Sequence, residues 1–102
     1  MMKMDVFIKD LKNYASNQII DIRNREDYLK YHIDGSKNVL YSDLIIHPEK
    51  YLDRKKAYVI ICEQGILSKK ISEILQNQNY LTKSFRGGIK EYQRFYEVDE
   101  KK

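Results

Sequence analysis

The chain has 102 residues, enough for one domain with one modest core, and its 42% hydrophobic and 33% charged residues are the balance of an ordinary folded protein. A formal charge of +4, from 19 basic and 15 acidic residues mixed along the chain, offers no basic block for nucleic acid and mildly favours a small anionic ligand. The apolar run Tyr58–Cys62 is too short to span a bilayer, and Asp5 falls where a signal peptide would begin its apolar stretch, so a cytoplasmic protein with no membrane partner is expected.

In chain order, Val6, Phe7, Leu11 and Tyr14 are spaced for a short amphipathic helix over Asp5–Tyr14. Gln18–Asp21 is an isoleucine-rich run that predicts a buried strand. A short helix over Arg25–Tyr31, a small strand over Asn38–Leu40, and helical turns over Tyr41–Ile46 and Pro48–Leu52 follow, with Pro48 suited to a first helical position. Ala57–Ile61 is the clearest element: a β-branched run without alternation, as a central parallel strand covered on both faces requires. Ser68–Gln78 then places Ile71, Ile74 and Leu75 on one helical stripe, stopped by Asn77-Gln78-Asn79. Leu81–Phe85 returns as a strand, and Gly87-Gly88 breaks the chain before a last helix over Ile89–Tyr96 and a charged, fraying tail from Glu97 to Lys102. No repeat or linker divides the chain, so residues 1–102 form a single domain. Strands alternating with helices predict an α/β fold, an open parallel sheet with helices on both faces, whose ligands bind at the carboxyl ends of the strands.

Cys62 stands at that end of the central strand. As the sole cysteine it excludes an internal disulfide and any Cys-x-x-Cys pair, and His32 and His47 lie too far apart in sequence to suggest a metal site. The segment Cys62-Glu63-Gln64-Gly65-Ile66-Leu67-Ser68 joins the strand to the following helix. Its backbone N–H groups lack strand or helix partners, so a curled loop, permitted by positive φ at Gly65, would cradle an anion at the positive end of the helix. The same dipoles would favour negative charge on a sulfur held above them. A small buried hydrophobe is the plain alternative for a lone cysteine at a strand end.

Three separated segments carry a resemblance. Ile19-Ile20-Asp21-Ile22-Arg23, Asp27-Tyr28 and His32-Ile33-Asp34-Gly35-Ser36-Lys37-Asn38-Val39 come first. Cys62-Glu63-Gln64-Gly65 is second, and Tyr80, Phe85-Arg86-Gly87-Gly88-Ile89 and Tyr92 close the set. In this order they resemble the signatures of the single-domain rhodanese-like (sulfurtransferase) family, with Tyr31-His32 in place of the family's usual Gly-His. The resemblance implies a rhodanese-like open parallel sheet and a sulfurtransferase mechanism. Cys62 would attack the outer sulfur of a donor such as thiosulfate, polysulfide or a protein persulfide. It would hold that sulfur as a persulfide cradled by Glu63–Ser68 and pass it to a thiophile, an acceptor thiol or protein. No metal and no organic cofactor are implied.

Some positions depart from the family pattern. Leu67 stands where many active members carry an arginine, and leucine cannot grip an oxyanion. Glu63, if it faces the sulfur, would oppose a thiolate and an anionic donor; otherwise it points to solvent. Thiosulfate is therefore expected to be a poor donor, with a polysulfide or protein persulfide more natural, while Lys69 and Lys70 could restore positive potential. Ser68, six positions after the cysteine, argues against a phosphatase or arsenate reductase, which needs an arginine there. Asp21, Arg23 and His32 read as framework residues, and Arg86 as a candidate substrate contact on the loop expected to face Cys62. A rhodanese-fold binding module with little catalytic activity is the alternative function.

Overall fold

The computed structural model describes residues 5–100. The four residues before them, the last two of the chain and the side chains from residue 97 onward lie outside that description; of the tail expected to fray, residues 97–100 instead continue the last helix and the rest is not described. Four strands, β1 (Ile19–Asp21), β2 (Lys37–Asn38), β3 (Ala57–Ile61) and β4 (Leu81–Ser84), form one sheet in the order β2-β1-β3-β4. All three pairings are parallel, with Ile20 opposite both Lys37 and Ile60, and Ile60 opposite Ser84. The helices are α1 (Arg25–Lys30), α2 (Tyr41–Ile46), α3 (Ile66–Gln76) and α4 (Gly88–Glu100). The expected α/β sheet with helices on both faces is the observed one.

The lack of alternation in β1 and β3 is explained by two separate cores. Ile20, Tyr58, Ile60 and Cys62 face one way and pack with Leu44 of α2 and Ile71 and Leu75 of α3. Ile19, Val59 and Ile61 face the other way, against Leu11, Phe85 and Ile89 of α4. Successive side chains alternate between faces as the pleat demands, but both faces are dry, so the positions are apolar on both, except Asp21, whose buried carboxylate is paired with Arg23.

Several elements differ from the sequence expectation. Asp5–Tyr14 is not an α-helix. Val6 forms a parallel bridge with Phe85, its N–H donating to the Ser84 carbonyl at 2.8 Å, and only Ile8–Asn13 turns, as a 3-10 helix. Pairing of Val6 with Phe85 holds the start of the segment extended at the sheet edge, so the helical spacing that begins at Val6 is not realised. The strand expected at Asn38–Leu40 is Lys37–Asn38, because Leu40 is already the N-cap of α2. The helix after the cysteine begins at Ile66 rather than Ser68 and ends at Gln76, where a turn with Asn79 at φ 72° hands the chain to β4. Ile74 lies on its exposed side and is not part of the buried stripe with Ile71 and Leu75. The last helix starts one residue early, at Gly88, and runs on to Glu100.

Candidate active site

Cys62 follows the last residue of β3 and is 4% exposed, at the floor of a cleft of about 770 Å³. The loop after it curls back, so that the N–H groups of Gly65 and Ser68 both donate to Cys62 Sγ at 3.2 Å. Ser68 lies in the first turn of α3, where N–H groups have no acceptor within the helix. Two backbone dipoles and a helix N-terminus thus converge on the sulfur. Gly65 makes this possible as the left-handed N-cap of α3, at φ 90°, and any Cβ there would come within 2.9 Å of the Gly87 nitrogen. Beneath the turn, the Ser68 hydroxyl pairs with that of Ser84 on β4 at 2.6 Å, both buried.

The loop is held from its other side by α4. The Cys62 carbonyl accepts the Ile89 N–H at 2.8 Å and the Glu63 carbonyl accepts the Lys90 N–H at 3.1 Å. The reactive loop therefore caps the first turn of α4 while its own N–H groups face the sulfur. Gly88 permits this approach, because a Cβ there would sit 2.5 Å from both of those carbonyl oxygens.

Arg23 is the more buried of the two cations lining the cleft, the other being Lys30. Its Nε and Nη2 donate to the fully buried Asp21 carboxylate at 2.9 to 3.3 Å, and Nη2 also to the Tyr31 carbonyl at 2.6 Å. Nη1 reaches Glu63 Oε1 at 3.2 Å. Burial works against the guanidinium charge, but hydrogen bonding and attraction from Asp21 and Glu63 outweigh it and raise the Arg23 pKa above its ordinary value. Glu63 therefore does not stand alone in solvent; it is tethered to Arg23.

Cys62, Glu63, Gln64, Ile66 and Leu67 line the cleft together, and Gly65 and Ser68 supply the N–H groups at its floor. Arg86 is not brought there. Its guanidinium lies over the Phe7 ring at 5.3 Å and 4.0 Å from Asp5, because the parallel bridge at Val6 draws the N-terminal segment alongside it. Lys69 and Lys70 are exposed on α3 and also do not line the cleft. His32 stacks on Tyr28 at 3.8 Å, and its Nδ1–H donates to the Tyr28 carbonyl at 2.7 Å, a framework position. Sequence reasoning missed the far wall: Asp27, Lys30 and Tyr31 on and after α1, Leu40 and Tyr41 at the start of α2, and Gln93 of α4. No local pattern marks these residues; the packing of three helices around one strand end assembles them.

The family model for the rhodanese-like domain matches residues 6–95. The chain belongs to the rhodanese-like family. Among rhodanese-like relatives it is 32% identical over 73 residues to YtwF of Bacillus subtilis, which carries a sulfurtransferase name, a match covering 70% of this chain and 68% of the other. It is 34% identical over 68 residues to the tRNA sulfurtransferase of Pyrobaculum aerophilum, covering 67% of this chain. That match spans 14% of the larger protein. A crystal structure of a rhodanese-related protein from Thermoplasma volcanium superimposes with a TM-score of 0.77 at 26% identity, covering 88% of this chain and 90% of that one. A rhodanese-like domain whose loop carries a cysteine under two N–H donors is equipped for sulfur chemistry.

Proposed function

We propose that this chain is a sulfurtransferase and persulfide carrier that moves sulfane sulfur from a donor to a thiophilic acceptor through a persulfide on Cys62. The observation that carries the reading is the pair of N–H donors, from Gly65 and Ser68, aimed at Cys62 Sγ on the floor of an open cleft. The Cys62 thiolate attacks the outer sulfur of the donor; a new S–S bond forms as the donor's S–S bond breaks and its electron pair leaves with the donor remnant. The charge stays on sulfur throughout, so fixed N–H dipoles serve both the attacking thiolate and the persulfide. A thiophile such as cyanide or an acceptor thiol then takes the outer sulfur and restores the thiolate.

No residue of this scheme requires a metal or an organic cofactor. A free, buried thiol suits a reducing cytoplasm. Among the described residues no helix is long and apolar enough to cross a membrane. The partners are a small sulfur-containing anion or polysulfide on the donor side and a thiol or protein on the acceptor side.

Intact-protein mass spectrometry after exposure to polysulfide and, separately, to thiosulfate tests the reading, with Cys62→Ser as control. One added sulfur atom, removed by cyanide and missing from the control, is expected. A folded protein with a free thiol and no adduct from either donor would overturn the proposal and leave the binding module.

A further inference from the structure

Within the sulfur-transfer reading, on which this inference rests, two features of the cleft bear on which donors Cys62 accepts. The first is the state of Arg23. Its Nε and Nη2 are committed to Asp21 and the Tyr31 carbonyl, which leaves Nη1 as the guanidinium nitrogen turned to other use. That nitrogen is held by Glu63, the residue next to the nucleophile, and both side chains line the same cleft as Cys62. The more buried of the two cations lining the cleft, Arg23 rather than Lys30, is therefore already paired with a carboxylate of the protein. Arg23 is nearly buried and fixed by its bonds to Asp21 and the Tyr31 carbonyl, whereas the Glu63 side chain is 48% exposed, so the carboxylate is the partner free to move.

The second feature is the rim. Leu67 and Ile66, on the first turn of α3, and Leu40 and Tyr41 across the cleft are all exposed apolar side chains. A sulfonate leaving group would gain nothing from the carbon surface of these four side chains, and besides Arg23 the cleft lining offers it Lys30 as a cation. An apolar thiol leaving group would bury its carbon stem against those four side chains.

We propose that Glu63 is a specificity-determining residue that occupies Arg23 against oxyanions, so that this site takes sulfur from organic persulfides, R–S–SH, in preference to thiosulfate. In the favoured reaction the Cys62 thiolate attacks the outer sulfur, the S–S bond of the donor breaks, and the electron pair leaves as R–S⁻ while Cys62 becomes a persulfide. With thiosulfate the same bond change expels sulfite, whose developing charge needs the donor that Glu63 holds. Replacement of Glu63 by glutamine keeps the shape, weakens the tether and frees an Nη1 N–H for that charge.

The test compares kcat/KM for Cys62 persulfide formation from thiosulfate and from n-butyl persulfide generated in situ, in wild type and Glu63→Gln, each adduct verified by intact mass. The wild type is expected to prefer butyl persulfide, and the thiosulfate-to-butyl ratio to rise about tenfold in Glu63→Gln, mainly through a lower KM for thiosulfate, the effect of one charge-assisted hydrogen bond. Sulfate, an unreactive oxyanion, is expected to become a competitive inhibitor of the variant. An unchanged ratio, with Glu63→Gln folded and loading from butyl persulfide, overturns the inference and leaves sulfur transfer standing. An equal rise for both donors also overturns it, since that is a general electrostatic effect on the thiolate rather than release of Arg23. No adduct from either donor in wild type overturns both.

Discussion

Gly88→Ala tests the claim that the reactive loop and α4 are fitted backbone to backbone. Gly88 has φ +66°, and an added Cβ would lie 2.5 Å from the carbonyl oxygens of both Cys62 and Glu63. Both carbonyls accept hydrogen bonds from α4, at 2.8 and 3.1 Å, so neither can withdraw without breaking one. The left-handed conformation costs a non-glycine residue about 1–2 kcal/mol, and insertion of a methyl into packed backbone about 1–3 more, or roughly 2–5 kcal/mol together. In a domain of this size that lowers the melting temperature by roughly 10–25 °C. Thermal unfolding followed by circular dichroism measures it, with Lys90→Ala on the exposed side of the same helix as the control expected to stay near wild type. The loop shift should also lower the rate of Cys62 persulfide formation, because the Gly65 and Ser68 N–H groups move with it. A melting temperature within about 3 °C of wild type would refute the reasoning, since the strain alone exceeds that.

Asp21→Asn leaves the nearly buried Arg23 without its buried counter-charge, with only the half-exposed Glu63 beside it, and should cost about 3 kcal/mol, read as a lower urea midpoint at unchanged slope. Ser84→Ala orphans the buried Ser68 hydroxyl and is expected to cost about 1–2 kcal/mol in the same assay, with an altered alkylation rate at Cys62 because Ser68 also supplies an N–H to the sulfur. Burial, with the nearby Tyr96, Tyr31 and Asp34, raises the Tyr92 pKa above the usual 10.0. The folded state therefore keeps its phenol proton where the unfolded chain has lost it. The stability this represents is intact below the ordinary phenol range and falls as pH rises through it toward the folded value. Tyr92→Phe should accordingly lose less stability than wild type between neutral and strongly alkaline pH, measured by urea unfolding across that range.

The amino-acid sequence by itself determined the parallel sheet and the position of the cysteine. Ile19-Ile20 and Ala57–Ile61 are apolar without alternation, which only strands covered on both faces tolerate, and Cys62 with Gly65 three residues on marks the turn from strand to helix. Such features are local: they depend on backbone preferences and on neighbours a few positions away. The start of α3 at Ile66 was misjudged because a left-handed glycine cap begins the helix sooner than its apolar stripe does. The N-terminal helix was misjudged because pairing of Val6 with Phe85, made across most of the chain, overrides a helical spacing.

Tertiary structure alone decided the electrostatics of the cleft. Arg23 and Glu63 lie 40 positions apart and meet because β1 and β3 are neighbours in register, their carboxyl ends opening on one side. Arg86 follows β4 at the sheet edge, where Phe7 and Asp5 claim it, although its place beside Gly87-Gly88 reads like that of a substrate contact. Which cations line the cleft beside the cysteine is set by strand order and helix packing, and those are sums over many distant contacts that no single stretch of sequence displays.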